Sequence, residues 1–228
     1  DYALGFHAED SGAVWARAEA RFQSILALPK AEGDIRAAWA AYMIGRMNVF
    51  NYYFSGDTIA QQAFALTRSR VLNGASDKWG LAVASYGEEA LTYLVADRSP
   101  CVWYAFLHQD STWGEVEKCV DNISSANLIK AISLYAEQAA RNSYSGVNSL
   151  RFIAAWTLER ADRIAKVIDD PIAQKNLVAY ALARFGDGFD PQIEDEVFNN
   201  SSDISATGLA AHETLSTSRQ KLDALMAA

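Results

Sequence analysis

AYMIGRM, residues 41–47, decides how this chain is read, because AYALARF at residues 179–185 repeats its outline. Each copy runs Ala-Tyr, a variable residue, Ile or Leu, a small residue, Arg, and then Met or Phe. In an α-helix, positions three and four apart share a face. A small residue there lets a second helix come close, and the large residues one turn away fill the grooves on either side. Nothing in the phrase is chemically reactive. Its recurrence points to a packing unit used more than once.

The composition is that of a folded helical protein. Half of the 228 residues are hydrophobic and 21% are charged, far from the disordered and fibrous extremes. A chain of this length can bury a substantial core as one large domain or two small ones. Alanine is the strongest helix former and proline the weakest, and 40 alanines stand against 4 prolines. The 20 Lys and Arg and 28 Asp and Glu leave a net charge of −8 with no basic block, so nucleic acid and anionic membrane are poor partners. No apolar run approaches the roughly 20 residues that span a bilayer, and no membrane insertion is expected. The chain starts at Asp1 and not at methionine. That fits a segment of a longer protein or a mature chain that has lost a signal peptide, and leaves cytoplasmic and exported or periplasmic locations open. Cys101 and Cys119 would form one bridge in an exported protein, worth about 3 kcal/mol through loop closure, or two buried thiols in a cytosolic one.

Local signals mark the helices in turn. Val14, Ala18, Phe22, Ile25 and Leu26 recur at helical spacing until Pro29 ends the segment. Asp34 offers an N-cap to a second helix, whose Trp39, Tyr42, Met43, Met47 and Phe50 form an apolar stripe. After a turn at Ser55-Gly56, a third runs from Asp57 to Leu72, where Asn73-Gly74-Ala75-Ser76 stops it. Asp77 caps a fourth, from Trp79 through Tyr86 and Ala90 to Leu94. Residues 97–125 break the rhythm with a proline, both cysteines and a cluster of aromatics, and read as an insertion. Helical pattern resumes near Ser125, continues through GVNSLRFIAAWTLERADRIAKVI at residues 146–168, and starts again at Asp170-Pro171, where proline suits the first helical position. Residues 186–228 read as a polar linker and a C-terminal capping helix with Leu215, Leu222, Leu225 and Met226.

Short helices joined by tight turns, with small residues at recurring places, are the signature of a helical-hairpin solenoid. Ile44-Gly45 followed by Ala60 and Phe64 resembles the Leu-Gly, Ala, Phe skeleton of the tetratricopeptide repeat, with a longer interval between the pairs. KAISLYAEQAA at residues 130–140 resembles the second helix of the related Sel1-like repeat, with Ala131, Leu134, Tyr135, Ala139 and Ala140 at that pattern's positions. Ala18, Phe22 and Pro29 resemble the end of another such unit. The resemblance covers residues 12–96 and 126–185. It implies an all-α chain, an α-α superhelix of about five antiparallel helical hairpins, occupying residues 1–185 and carrying the insertion at 97–125. Gly45, Ala60, Ala131 and Ala183 are then the close-approach positions. The irregular intervals from 45 to 87 and on to 183 leave a compact helical bundle as the alternative.

Chemistry-bearing motifs are sparse. His7, His108 and His212 are scattered, with no His-Glu-x-x-His. Cys101, His108 and Cys119 supply three metal-binding side chains without an evident fourth, so no metal is expected. No phosphate loop, dinucleotide fingerprint or nucleophile elbow is present, and no cofactor is expected. The adjacent Glu88 and Glu89 invite comparison with the paired carboxylates of glycan-cleaving enzymes; solvated helix positions are the simpler expectation for both. The acids of IEDEVF at 193–198 favour a helix start, and DGFDPQIEDE lacks the alternating ligands of a calcium loop.

Solenoids act by presenting a concave wall, which in tetratricopeptide-like repeats is lined by the first helix of each hairpin. The resemblance therefore places Tyr42, Arg46 and Glu88, and in the second copy Tyr180 and Arg184, toward a groove for a protein or peptide. Arginine offers bidentate hydrogen bonds and tyrosine a rigid amphipathic surface, although tyrosines also pack and arginines also solvate. Trp103 and Trp113, with Tyr104 and Phe106, either fold back over the solenoid or meet a partner. The expected function is a noncatalytic binding scaffold. An enzyme with acids in an all-α cavity and a self-associating structural domain are the rivals.

Overall fold

Alanine-rich stretches bounded by short turns become helices throughout the computed structural model, which describes residues 11–50, 57–95 and 121–186. Among the described residues there are nine helices and no strand. They are α1 (Ser11–Leu26), α2 (Lys30–Gly33), α3 (Ala37–Phe50), α4 (Asp57–Leu72), α5 (Leu81–Val95), α6 (Ser125–Ala139), α7 (Tyr144–Leu158), α8 (Ala161–Ala165) and α9 (Pro171–Gly186). Two compact units divide the chain, Asp1–Val147 and Asn148–Ala228, with the boundary inside α7. The insertion expected at 97–125 lies outside the described residues from 97 to 120, and the tail expected at 186–228 lies outside them from residue 187.

Several starts and stops are where local chemistry puts them. The end of α4 is a Schellman turn: Ala75 N–H bonds to Arg70 O at 2.9 Å and Gly74 N–H to Val71 O at 3.0 Å. Gly74 takes φ +98°, which a side chain would resist. Ser124 caps α6 by accepting from Asn127 N–H. Asp170 accepts from Ile172 and Ala173 N–H at the start of α9, with Pro171 as its first residue.

Other boundaries differ from the sequence expectation. Asp34 does not cap α3; it closes the short α2, and its backbone carbonyl takes Ser76 N–H from the α4–α5 turn. Asp77 does cap the fourth expected helix, through Leu81 and Ala82 N–H. That helix starts at Leu81 and not Trp79, because Lys78-Trp79 forms a turn and Gly80 after it has φ +66°. The pattern over 146–168 is not one helix. Extended backbone at Arg160 (φ −139°, ψ 136°) separates α7 from α8, a conformation no helical periodicity records.

In the first unit, α3 packs against α1, α4 and α5, and α5 packs against α4 and α6. A helix with neighbours on three sides should be apolar nearly all round. Accordingly Ala37, Ala38, Ala40, Ala41, Ile44, Met47 and Val49 of α3 are all buried. The α3–α4 pair is antiparallel: Ala37 and Ala38 cluster with Ala75 and Val71, Gly45 faces Phe64, and Val49 clusters with Ala60. The α4–α5 pair is antiparallel as well, with Arg68 at Ser85 and Gln61 at Thr92. So is α5–α6, where Tyr86 meets Arg141, Gly87 meets Gln138 and Tyr93 meets Lys130.

Close approach is the device that joins these rods. A Cβ on Gly45 would stand 2.5 Å from the Phe64 ring, and one on Gly87 2.7 Å from Gln138 Oε1. Phe64 is wholly buried, contributing about 1.5–3 kcal/mol by leaving water. Its edge meets Tyr42, with centroids 5.7 Å apart, for about 0.5–1.5 kcal/mol more. Ala60 and Ala131 are likewise buried. In the stretch 130–140 Leu134 and Tyr135 are buried while Ala140 is exposed.

The second unit carries α8, α9 and the later part of α7. Its core includes Ile153, Ala154, Trp156, Val167, Ala173, Leu177 and Ala181. Ala183 is exposed, contrary to the close-approach role expected of it; within the phrase 179–185 it is Ala181, two residues earlier, that α9 buries. The echo of AYMIGRM in AYALARF is therefore not an echo in packing. Arg163 is fully buried, stacking on Trp156 at 4.5 Å and donating to Trp156 O at 2.9 Å and Glu159 Oε2 at 2.8 Å.

Replacing Gly45 by Val should cost about 1–3 kcal/mol of stability through overpacking against Phe64. Urea denaturation should show the loss, and Phe64→Leu in the same chain should recover part of it. An unchanged midpoint would mean that α3 and α4 separate more easily than their spacing implies.

Candidate functional site

Successive helical residues point about 100° apart, so the adjacent acids of α5 reach different neighbours. Glu88 turns to α3: its Oε1 accepts from Arg46 Nη1 at 2.5 Å and from Tyr42 O–H at 3.1 Å. Glu89 turns to α4, where its Oε2 accepts from Arg68 Nη2 while Arg68 Nη1 donates to Ser85 Oγ at 3.1 Å. One turn further along, Gln61 Nε2 of α4 donates to Thr92 Oγ1 of α5 at 3.0 Å. A polar seam thus runs along α5 and fastens it to both helices of the preceding pair.

The two acids sit at different depths. The Arg68 and Glu89 side chains are 16% and 8% exposed, those of Arg46 and Glu88 31% and 20%. A charged hydrogen bond out of water contributes roughly 1.5–3 kcal/mol, whereas screening reduces the more exposed pair toward the surface value of roughly 0–1 kcal/mol. Both correct the expectation that Glu88 and Glu89 are solvated helix positions. Burial first, then the Glu88 carboxylate, pushes the Tyr42 phenol up to about 12. Burial and Glu89 raise that of Tyr93.

Beyond the seam, cations cover the tyrosines of α5. Arg68 and Arg141 guanidinium carbons lie 4.4 and 4.5 Å from the Tyr86 ring centroid, and Lys130 Nζ lies 6.0 Å from that of Tyr93. Arg141 also donates to Glu137 Oε2 at 2.6 Å, which holds its proton more tightly than usual.

Of the residues singled out from sequence, Tyr42, Arg46 and Glu88 come together in one hydrogen-bonded group. Tyr180 is half-buried on α9, in the second unit. Arg184 falls in the last turn of α9 with its side chain outside what is described, and Trp103, Trp113, Cys101, Cys119 and His108 lie outside the described residues. Sequence reasoning passed over Arg68, Ser85, Thr92 and Gln61. A signal existed: Gln61 and Arg68 on one helix, and Ser85 and Thr92 on the next, are each seven apart, so each pair shares a helical face. Among the described residues no three His, Cys, Asp or Glu side chains gather where a metal ion could be held, and no helix is long and apolar enough to cross a membrane. No family model, curated protein or solved structure matches the chain.

Two measurements test the seam. Glu89→Gln should lower stability more than Glu88→Gln in urea denaturation, by about 1–2 kcal/mol, because the deeper pair is less screened; equal losses would refute the difference in depth. In an ultraviolet phenolate titration, the component nearest pH 12 should vanish in Tyr42→Phe. Since the folded value lies above the ordinary one of 10, Tyr42 adds stability below pH 10 that is lost as pH rises toward 12.

Proposed function

We propose that this chain is a noncatalytic scaffold that binds a protein or peptide, built as a tetratricopeptide-like α-α superhelix of stacked antiparallel hairpins. One observation carries the proposal. The alternate helices α3 and α5 touch each other while the intervening α4 packs on both, and their contact holds the partly exposed group Tyr42, Arg46 and Glu88. In a stack of hairpins the first helices form one wall, and α3 and α5 occupy that role in turn. Gly45 and Gly87 support the same equivalence: each is pressed by a side chain from the helix that follows in the described chain, Phe64 of α4 and Gln138 of α6. In that alignment Arg46 and Glu88 are matching positions, each one residue after its glycine. They offer a partner both signs of charge, with a tyrosine beside them.

The test is capture of a binding partner from the native organism's lysate with wild-type protein and with Arg46→Glu. Binding should fall at least about tenfold in the variant, as expected for loss of a charged contact, and should persist in Lys175→Glu, an exposed change on α9. A specific partner that ignores Arg46→Glu would refute the assignment of this wall.

A further inference from the structure

The side that α9 turns to solvent is more apolar than a solvated side should be. Its buried side holds Ala173, Leu177 and Ala181. Opposite them Ile172, Lys175, Ala179, Leu182 and Ala183 are exposed, and at about 100° per residue these five fall within about 100° of one another. Ile172 and Leu182 are 39% and 58% exposed. The solvent side of a helix ordinarily carries charge; here one lysine stands among four apolar residues. The steps from Ile172 to Lys175, Ala179 and Leu182 are three, four and three residues, the spacing of a knobs-into-holes seam. A single lysine in such a seam helps fix its register while the stem stays packed.

The same unit supplies a matching side. It extends to Ala228, and residues 187–228 lie outside the described ones. In their sequence Leu215, Ser218, Leu222, Leu225 and Met226 follow the spacing of Ile172, Lys175, Ala179, Leu182 and Ala183 position for position. On a helix this stretch would hold four large apolar side chains within the same arc, and Glu213, Arg219, Lys221 and Asp223 would fall outside it. Reach is no obstacle. The 26 residues from Asp187 to His212 are rich in Gly, Asp, Asn and Ser, and a coil of that length spans roughly 25–30 Å, against about 24 Å for the length of α9. A tether of this reach sets an effective concentration on the order of millimolar, which favours this segment over a partner in free solution.

We propose that residues 213–226 form a helix that lies along this exposed face of α9, with Leu215, Leu222, Leu225 and Met226 against Ile172, Ala179, Leu182 and Ala183. The capping helix expected from the sequence thereby gains a definite seat. That seat lies in the second unit and the Tyr42, Arg46 and Glu88 group in the first, so the two readings can be tested apart.

The experiment is limited trypsin digestion of the full chain, with cleavage after Arg219 and Lys221 followed by mass spectrometry. In the wild-type protein both cuts should be slow. They should be at least about tenfold faster in Leu182→Ser and in Leu225→Ser, because cutting tracks the undocked population, whereas Arg46→Glu should leave them unchanged. Slow cleavage after Arg151, inside α7, shows in each variant that the helix has undocked and the unit has not unfolded. Ile172→Ser serves in place of Leu182→Ser should that variant unfold. Rapid cleavage of the wild-type tail, or protection indifferent to Leu182→Ser and Ile172→Ser, would overturn the proposal. So would a dimer in gel filtration that Leu182→Ser dissolves, since a second copy would then be the occupant.

Discussion

The contact of Gly45 with the Phe64 ring sets the distance between α3 and α4, and much of the first unit is arranged around that distance. With no side chain at Gly45, an aromatic ring lies directly on the α3 backbone, and Tyr42, one turn away, closes over its edge. Because Phe64 is fully enclosed, the spacing is maintained by apolar burial and needs no specific polar bond. The alanines of α3 extend the same logic to its other neighbours. Small side chains let α1, α4 and α5 all approach one helix, and each approach removes backbone and methyl surface from water. Gly87 repeats the device between α5 and α6, with the amide of Gln138 in place of a ring.

Apolar contact alone would leave α5 free to slide or rotate, since alanine surfaces are smooth. The polar seam removes that freedom. Glu88 and Glu89 diverge to Arg46 and Arg68, one on each helix of the preceding pair, and Gln61 with Thr92 adds a further bond along the same face. Any turn of α5 about its axis would break one of these while leaving buried charge behind, which is far costlier than losing a surface pair. The deeper acid holds the helix. The shallower one, with Arg46 and Tyr42, stays within reach of solvent.

Much of the local structure was legible in advance. Asp170-Pro171, Asn73-Gly74 and Asp77 each announced a helix end, because a cap or a left-handed turn is an interaction within about five residues and its parts are adjacent in the sequence. Periodicity found most of the helices, and of Tyr42, Arg46, Glu88, Tyr180 and Arg184, picked out together, the first three do meet in one hydrogen-bonded group. The failures have a common cause. Asp34 has the chemistry of an N-cap, but its segment was taken up by α2 and its carbonyl by the α4–α5 turn. Ala183 matches Gly45 in its phrase, yet α9 buries the face that holds Ala181.

Composition, helix positions and most helix ends were thus properties of the sequence by itself, since they depend on propensity, spacing and short-range hydrogen bonds. What only the tertiary structure decided is which polar residues bond to one another across helices and which face solvent. Glu88 and Glu89 are identical in type and adjacent in the chain, and nothing local distinguishes the acid that locks α5 from the one that remains accessible. Their difference comes from the 100° between them and from two other helices lying in those directions. Partners from 21 to 46 residues away meet them there, at distances that exist only once the rods have packed.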